Sequence, residues 1–131
     1  QIARIEAGLQ ESCVCVGNLE AVRTYCDVRD MVRAYWLLAL KGEAGEAYNI
    51  AGDEVFSLRE VLDRLLALST WGKKITVMVE ESRLRPHDVW TQSADDSKFR
   101  KLTGWRPQIP IARTLADTLQ YWRERCGPLK P

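Results

Sequence analysis

The sequence lacks two motifs that redox enzymes use to hold and exploit a nicotinamide dinucleotide. No Gly-x-Gly-x-x-Gly turn is present, in which glycines let the backbone approach a pyrophosphate. No tyrosine opens a Tyr-x-x-x-Lys pair, because the residues four positions after the four tyrosines are Arg29, Ala39, Gly52 and Arg125. Without that pair no phenol is activated by a neighbouring ammonium group. The sequence therefore predicts that this chain alone has no catalytic residues and does not bind NAD or NADP.

Other scarce features exclude further classes of function. The formal net charge is only +1, so neither nucleic acid nor an anionic membrane is favoured as a partner. No apolar run approaches the roughly 18–20 residues of a membrane span, and no basic-then-apolar run predicts a leader. There is one histidine, and the Cys13-x-Cys15 pair is tighter than the usual CxxC metal knuckle. We therefore expect no metal site and reduced, mostly buried thiols in a cytoplasmic protein.

The composition and the spacing of apolar residues indicate one α/β domain over residues 1–131. Hydrophobic residues make up 46% of the chain and charged residues 28%, and no linker divides it. Helical spacing and capping residues predict five helices, beginning near Ile2, Asp27, Ser57, Asp95 or Asp96, and Ile111. Short apolar runs predict strands at 13–16, 23–28, 46–50 and 74–80. These strands are too few for a complete doubly wound sheet.

Local signals refine several of these elements. Ser57 and Glu60 have the spacing of a capping box at the start of a helix. Gly42 and Gly104 are predicted to end the helices that precede them. In the last predicted strand, the alternation of Ile75, Val77 and Val79 indicates one buried face.

Two charged clusters are candidates for binding an anionic ligand. Arg85 stands three residues before Asp88, in a segment that Pro86 keeps extended. Arginine holds a diphosphate with a rigid fork of donors, and a carboxylate can accept hydrogen bonds from a ribose diol. In the second cluster, Arg23 precedes the charged residues 27–30 at a predicted helix start. Taken alone, each cluster is better explained without a ligand, the first as a surface ion pair and the second as helix capping with i,i+3 or i,i+4 pairing.

Seven sequence elements occur in one order along residues 1–125. They are Gly17-Asn18-Leu19, Arg23 with Asp27-Val28-Arg29-Asp30, Gly45-Glu46-Ala47-Tyr48-Asn49-Ile50, Leu84-Arg85-Pro86-x-Asp88, Ser97-Lys98, Thr103-Gly104-Trp105-x-Pro107 and Leu115-x-x-Thr118-Leu119-x-Tyr121-Trp122-Arg123. That order resembles the C-terminal part of extended short-chain dehydrogenase/reductases of the GDP-mannose 4,6-dehydratase and GDP-4-keto-6-deoxy-mannose reductase type. The resemblance implies a partial C-terminal region of an NAD(P)-binding Rossmann-type fold, whose full-length members use NADP or NAD.

The resemblance also implies roles for five residues. Arg23 and Arg85 match the two arginines that contact the nucleotide diphosphate. Asp88 matches the acidic residue that bonds the ribose hydroxyls. Asn18 and Leu19 match the short segment beside the nucleotide base. These five residues are therefore the predicted substrate-binding site.

Three other positions complete the comparison with the family pattern. Asn49 and Trp105 match family positions that we interpret as structural. Thr24 is a departure, because the family often has aspartate directly after the strand arginine. This difference leaves the orientation of the Arg23 guanidinium open.

Three functions follow as hypotheses. The chain is a truncated dehydratase or reductase fragment that binds GDP or a GDP-sugar weakly, a non-catalytic self-associating protein that retains the fold, or an enzyme completed by a separate nucleotide-binding chain. The retained Arg23, Arg85 and Asp88 favour the first hypothesis over the second. The missing catalytic residues weigh against an oxidoreductase that acts alone.

We also expect a homodimer. Without the rest of the parent fold, the predicted strand at 46–50 would have an unpaired edge, and the helices at 29–41 and 57–69 would expose apolar faces. Unpaired edges and large apolar patches are association sites. A two-fold partner is the commonest way to cover them.

Overall fold

A computed structural model of the chain describes residues 1–127, which contain five α-helices and five short strands. In chain order the elements are α1 (Ile2–Glu6), β1 (Cys13–Val16), β2 (Val22–Tyr25), α2 (Val28–Lys41), β3 (Glu54–Ser57), α3 (Leu58–Ala67), β4 (Thr76–Val79), β5 (Thr91–Gln92), α4 (Ser97–Thr103) and α5 (Ile111–Cys126). Short 3-10 turns lie at Gly72–Lys74 and Glu81–Arg83. The predicted α/β class with five helices is confirmed. Within residues 1–127, no helix is both long enough and apolar enough to cross a membrane.

The strands form two small sheets. β1 pairs in parallel with β4, while β2 lies between antiparallel β3 and parallel β5. Gly17, directly after β1, permits a close approach between chain segments, because a Cβ there would lie 2.7 Å from the backbone oxygen of Arg83. The segment that follows β4 is thereby held against the end of β1.

One apolar core lies between the β1–β4 sheet and the helices α1, α3 and α5. Its buried members are Ile2, Ala3, Ile5, Val14, Leu19, Leu62, Ile75 and Leu119. Across this core, the Arg123 guanidinium of α5 donates to both carboxylate oxygens of Glu6 in α1, at 2.7 and 2.8 Å. The pair joins the first and last helices of the described chain.

A second core fixes the other half of the molecule. Phe99 and Trp105 are 0% and 1% exposed and pack with Ala34 of α2. Gly104 has a φ of +73°, in the left-handed region that ends α4 and turns the chain back toward this core. The Trp105 Nε1 then donates to the backbone oxygen of Asp30 at 3.2 Å. The predicted packing role of Trp105 is confirmed.

The predicted strand at 46–50 is wrong. This segment pairs with no strand of the described chain and is held by side chains instead. The Tyr48 ring packs edge-on against Phe99, and Asn49 Nδ2 donates to the backbone oxygen of Asp95 at 3.2 Å. The structural role predicted for Asn49 is thus confirmed, although not within a strand. The strand that pairs with β2 is β3, at Glu54–Ser57.

Three further predictions need correction. The second strand ends at Tyr25 and not at residue 28, because the Asp27 carboxylate accepts from the Arg29 amide at 2.8 Å and begins α2. β4 lacks the predicted buried face, since Val77 and Val79 are 39% and 52% exposed. The four cysteines are free and half-buried, whereas we predicted mostly buried thiols.

The predicted helix caps are present in the structure. The Ser57–Glu60 capping box is complete, with the Ser57 Oγ accepting from the Glu60 amide and Glu60 accepting from the Ser57 amide. Gly42 ends α2 as predicted. At the start of α4 it is the Asp95 carboxylate that accepts from the Ser97 amide, at 2.9 Å. Asp96 instead accepts from Arg100 and from the Ala51 amide.

Candidate functional site

A cleft of about 490 Å³ opens where the ends of β1, β2 and α3 face the segment after β4. Its volume falls in the range of roughly 300–1,000 Å³ typical of small-molecule sites. All five residues predicted from the sequence, Asn18, Leu19, Arg23, Arg85 and Asp88, line this one cleft. They come from three separate stretches of the chain, so the fold brings together what the sequence keeps up to 70 positions apart. Their role in binding a nucleotide stays a prediction.

Arg23 is positioned by the central strand of the three-stranded sheet. Its backbone pairs with Phe56 of β3 on one side and Gln92 of β5 on the other. The guanidinium donates to the backbone oxygen of Val22 at 2.8 Å and to the Asp88 carboxylate at 3.3 Å. Part of its donor set is therefore committed to the protein.

Asp88 is oriented by two residues of the predicted site. Asn18 Nδ2 donates to one carboxylate oxygen at 2.8 Å, and Arg23 reaches the other. The Asn18 oxygen accepts from the Glu20 amide at 2.9 Å, so the Asn18 NH₂ group must face Asp88. The hydrogen bond from Asn18, with smaller contributions from the nearby charges of Arg23 and Arg85, lowers the pKa of Asp88. Asp88 is therefore an ionised acceptor at neutral pH.

Arg85 differs from Arg23 in having its donors uncommitted. Within residues 1–127 its guanidinium forms no ion pair and no hydrogen bond, although it lines the cleft and lies close enough to Asp88 to lower its pKa. Arg83 is a third arginine in the lining. Three arginines and one aspartate line the cleft, and Glu80, which is outside the lining, pairs with Arg83, so these five residues carry one more positive than negative charge. An anion that enters the cleft gains charge-assisted hydrogen bonds.

The floor of the cleft is apolar and comes mainly from α3. Leu58, Val61 and Leu65 lie on one face of this helix and line the cleft. Leu19 is only 6% exposed and belongs to the first core, so most of its side chain packs inside the protein.

Sequence reasoning missed Arg83 and the contribution of α3. The signal for Arg83 was the alternation of Arg83, Leu84 and Arg85, which in an extended segment places two guanidinium groups on the same side. The signal for α3 was the spacing of Val61 and Leu65, because residues four apart share one helix face. Each pattern shows which residues lie on the same side of their segment, but neither shows that this side lines the cleft.

The charged residues 27–33 form a separate cluster outside the cleft. The Asp27 carboxylate accepts from the Arg29 guanidinium and from Thr114 Oγ1 at 2.7 Å. These bonds, led by the one from Arg29, hold the pKa of Asp27 well below its usual range. Of the two explanations that the sequence left open, helix capping with ion pairing is the one that the structure shows.

Asp30 is the second acid of this cluster. Its carboxylate accepts from the amides of Gln108 and Ile109 at 2.8 and 2.9 Å, and from Arg33 at 2.7 Å. Burial favours the neutral acid, but these hydrogen bonds outweigh it, and the pKa of Asp30 is lowered. The carboxylate ties α2 to the segment that leads into α5.

Comparison with known proteins gives one consistent result. The model of the family described as GDP-mannose 4,6 dehydratase matches residues 1–118. GDP-6-deoxy-D-mannose reductase of Pseudomonas aeruginosa is 30% identical over 125 residues, which are 95% of this chain and 40% of that protein. GDP-mannose 4,6 dehydratase 2 of Arabidopsis thaliana is 32% identical over 82% of this chain and 28% of its own length.

The solved structures agree with the sequence matches. The structure of RMD from Pseudomonas aeruginosa complexed with NADPH superposes with a TM-score of 0.83 at 28% identity. The match covers 95% of this chain and 40% of that one. This chain thus spans at most about 40% of the length of these relatives.

Proposed function

The chain belongs to the GDP-mannose 4,6-dehydratase family, and we propose that it forms the nucleotide-sugar-binding side of a dehydratase or reductase of this type. The observation that carries this proposal is the single cleft that collects Asn18, Leu19, Arg23, Arg85 and Asp88. The relatives are named for reactions of GDP-sugars, and the cleft has the charge and the size that such a ligand needs.

The chemistry of the cleft matches the parts of a nucleotide sugar. The diphosphate carries about two negative charges, and the arginines of the lining can give it charge-assisted hydrogen bonds. Arg85 has its whole donor fork available for a phosphate. Asp88, ionised and held in place by Asn18, can accept hydrogen bonds from a ribose diol. The apolar face of α3 offers a surface for the base.

We expect this chain by itself to bind GDP weakly, at about millimolar affinity, which corresponds to about 4 kcal/mol. The cleft is open to solvent, and the ligand is not enclosed by these residues alone. The test is a titration with GDP, followed by NMR chemical shifts, on the wild type and on Arg85→Ala. Shifts that are the same in both proteins would remove Arg85 from the site. Guanosine, which lacks phosphates, is the ligand control and should shift the cleft resonances far less.

The residues of this chain do not fit the dinucleotide that the fold family uses. A pyrophosphate is commonly bound by free amides at a helix start after a strand. Here the two helices that follow strands directly are capped by side chains of their own segments, Asp27 for α2 and Ser57 with Glu60 for α3. We therefore propose that NAD(P) binding and proton transfer belong to other parts of the family fold. Saturable micromolar binding of NADPH in a fluorescence titration would overturn this proposal.

A second candidate function is self-association. It is favoured by an exposed apolar stripe along α2, formed by Val28, Val32, Tyr35, Trp36 and Leu40, which are 58–70% exposed. Of the two reasons for expecting a dimer, the unpaired strand at 46–50 no longer holds because that strand does not exist, whereas the stripe on α2 belongs to the second reason, the exposed apolar helix faces. The homodimer stays a prediction that now rests on this stripe. Light scattering across micromolar concentrations decides it, and a monomer throughout would remove this candidate.

A further inference from the structure

Arg83 lines the cleft, yet neither the sequence nor the proposed function assigns it a role. Its backbone is held firmly against the end of β1. The Arg83 amide donates to the backbone oxygen of Glu80 at 3.0 Å, and the Glu80 amide donates to that of Val16 at 2.9 Å. Gly17 adds the close contact that a larger residue would prevent. The Cα of Arg83 is therefore a fixed point beside Asn18.

The side chain of Arg83 is held through one nitrogen only. Its Nε donates to a carboxylate oxygen of Glu80 at 2.5 Å. Within residues 1–127, its two terminal nitrogens donate to no protein group, so four of the five N–H groups of the guanidinium are available. The adjacent Cys15 thiol of β1, together with Arg83, lowers the pKa of Glu80, so the carboxylate beside the guanidinium is ionised.

The direction of the Arg83 side chain follows from the backbone. Leu84 is extended, with φ −77° and ψ 136°, so the residues on either side of it project to the same side of the segment. Arg83 and Arg85 both line the cleft, while Leu84 is 44% exposed and does not. Both arginines of this segment therefore line the same cleft.

We propose that Arg83 binds the diphosphate of the nucleotide sugar together with Arg85, and that Glu80 positions its guanidinium for this contact. The inference rests on the proposed function of the cleft. Arg23 is already committed to Val22 and Asp88, whereas Arg83 and Arg85 keep donor pairs for two phosphate groups. Two such arginines select a diphosphate over a monophosphate, which occupies only one of them.

The alternative is an ordinary surface ion pair between Arg83 and Glu80, which would contribute little to anything. Arg59 provides the matched control, because it pairs with Glu20 at 2.7 Å, is 54% exposed compared with 52% for Arg83, and lies outside the cleft lining. A surface role predicts the same small effects for Arg83→Ala and Arg59→Ala.

The experiment compares GDP with GMP by NMR titration of the wild type, Arg83→Ala, Arg85→Ala and Arg59→Ala. We expect Arg83→Ala to weaken GDP binding about tenfold and GMP binding less than threefold, since one good charge-assisted bond pair accounts for about that factor. Arg59→Ala should leave both ligands unchanged. A fall in GDP binding in Arg85→Ala but not in Arg83→Ala overturns this inference and leaves the proposed function standing. A wild type that does not bind GDP overturns both.

Glu80 is tested through the same preference for GDP. Glu80→Ala releases the Arg83 Nε and should reduce the ratio of GDP to GMP affinity about threefold. Glu80→Gln keeps an oxygen that accepts from Nε, and it should restore most of the ratio. A ratio that is unchanged in Glu80→Ala overturns the positioning role, while equal losses in both variants would assign the effect to the negative charge instead.

Discussion

Asp27 and Asp30 are nearly buried and accept hydrogen bonds on both carboxylate oxygens, whereas Arg83 and Arg85 stand in an open cleft with donors to spare. We refer to the first pair as the buried acids and to the second as the cleft arginines. Side-chain exposures of 2% and 3% for the buried acids contrast with 52% for Arg83. Both regions contain several charged residues, but the buried acids have both carboxylate oxygens bonded within the described chain, whereas Arg83 is paired there only through Nε and Arg85 has no partner there.

This difference separates stability from binding. A buried charge that is fully hydrogen-bonded cannot lose a partner without a large cost in folding free energy. An exposed and unmatched charge costs little to keep and retains its attraction for a ligand. Substitutions of the buried acids should therefore lower stability, and substitutions of the cleft arginines should lower affinity.

The largest effect is expected for Asp30→Ala. This change leaves the amides of Gln108 and Ile109 without their acceptor and Arg33 with only the backbone oxygen of Arg106, and removal of one partner from a buried charged network costs about 3–5 kcal/mol. Urea unfolding measures the loss. Asp63→Ala, on the exposed face of α3, is the control and should change stability by less than about 0.5 kcal/mol. A loss in Asp30→Ala as small as the control's would show that the buried acids do not hold α2 to α5.

The pH dependence of stability should separate Asp27 from the cleft. The folded pKa of Asp27 is lowered, so its stabilisation is complete above the unfolded value of about 3.8 and is lost as pH falls toward the folded pKa. The stability gap between wild type and Asp27→Asn should be on the order of 2 kcal/mol at pH 6. It should shrink steadily below about pH 4. Comparing the two proteins cancels the titration of all other groups.

The matching experiment at the cleft uses Asp88→Asn. Asp88 is 20% exposed, so solvent screens its ion pair with Arg23 and its removal should cost less stability than that of Asp27. The same denaturation series measures both differences in stability, wild type against Asp88→Asn and wild type against Asp27→Asn. A gap at pH 6 that is larger for Asp88 than for Asp27 would reverse the comparison on which these predictions rest.

Sequence-based predictions are correct where the local structure depends only on residues that are close together in the sequence. The Asp27 cap, the Ser57–Glu60 box and the left-handed Gly104 all depend on residues within a few positions of each other, and all three are present. Side-chain hydrogen bonds to nearby amides form regardless of what the rest of the chain does. The resemblance to a family added what local rules lack, by selecting five distant residues that share one cleft.

The strand predictions are wrong where the structure depends on a packing partner that is distant in the sequence. Residues 46–50 have strand-like composition, but Tyr48 packs against Phe99 and the segment pairs with no described strand. The strand that pairs with β2 is instead Glu54–Ser57, which has only two apolar residues. Strand propensity measures how well a residue fits a partner surface, and the sequence does not name that surface. The prediction that Val77 and Val79 form a buried face is wrong for the same reason, since no part of the described chain covers them.

A smaller effect is expected for the ribose contact at Asp88. In Asp88→Ala the carboxylate that should accept from the ribose hydroxyls is removed, while the released Arg23 keeps the phosphate side of the cleft positive. Loss of such a hydrogen bond is worth about 1 kcal/mol, or roughly fivefold in affinity. The measurement compares GDP with its 2′,3′-dideoxy analogue by NMR titration. Wild type should prefer GDP and the variant should not, whereas an equal preference in both would place the ribose elsewhere.

The smallest effect is expected from salt, and it acts on the two regions in opposite ways. The cleft is open and has an excess of positive charge, so mobile ions screen its attraction for a diphosphate. Raising ionic strength from about 0.05 to 0.5 M should weaken GDP binding by a few-fold, which is less than about 1 kcal/mol. The buried acids make their contacts where ions do not reach, so the same change should leave the stability gap between wild type and Asp30→Ala nearly constant. A salt-dependent gap together with salt-independent GDP binding would assign the exposed electrostatics to the wrong region, and would require the ligand to be held by the apolar face of α3 instead of by the arginines.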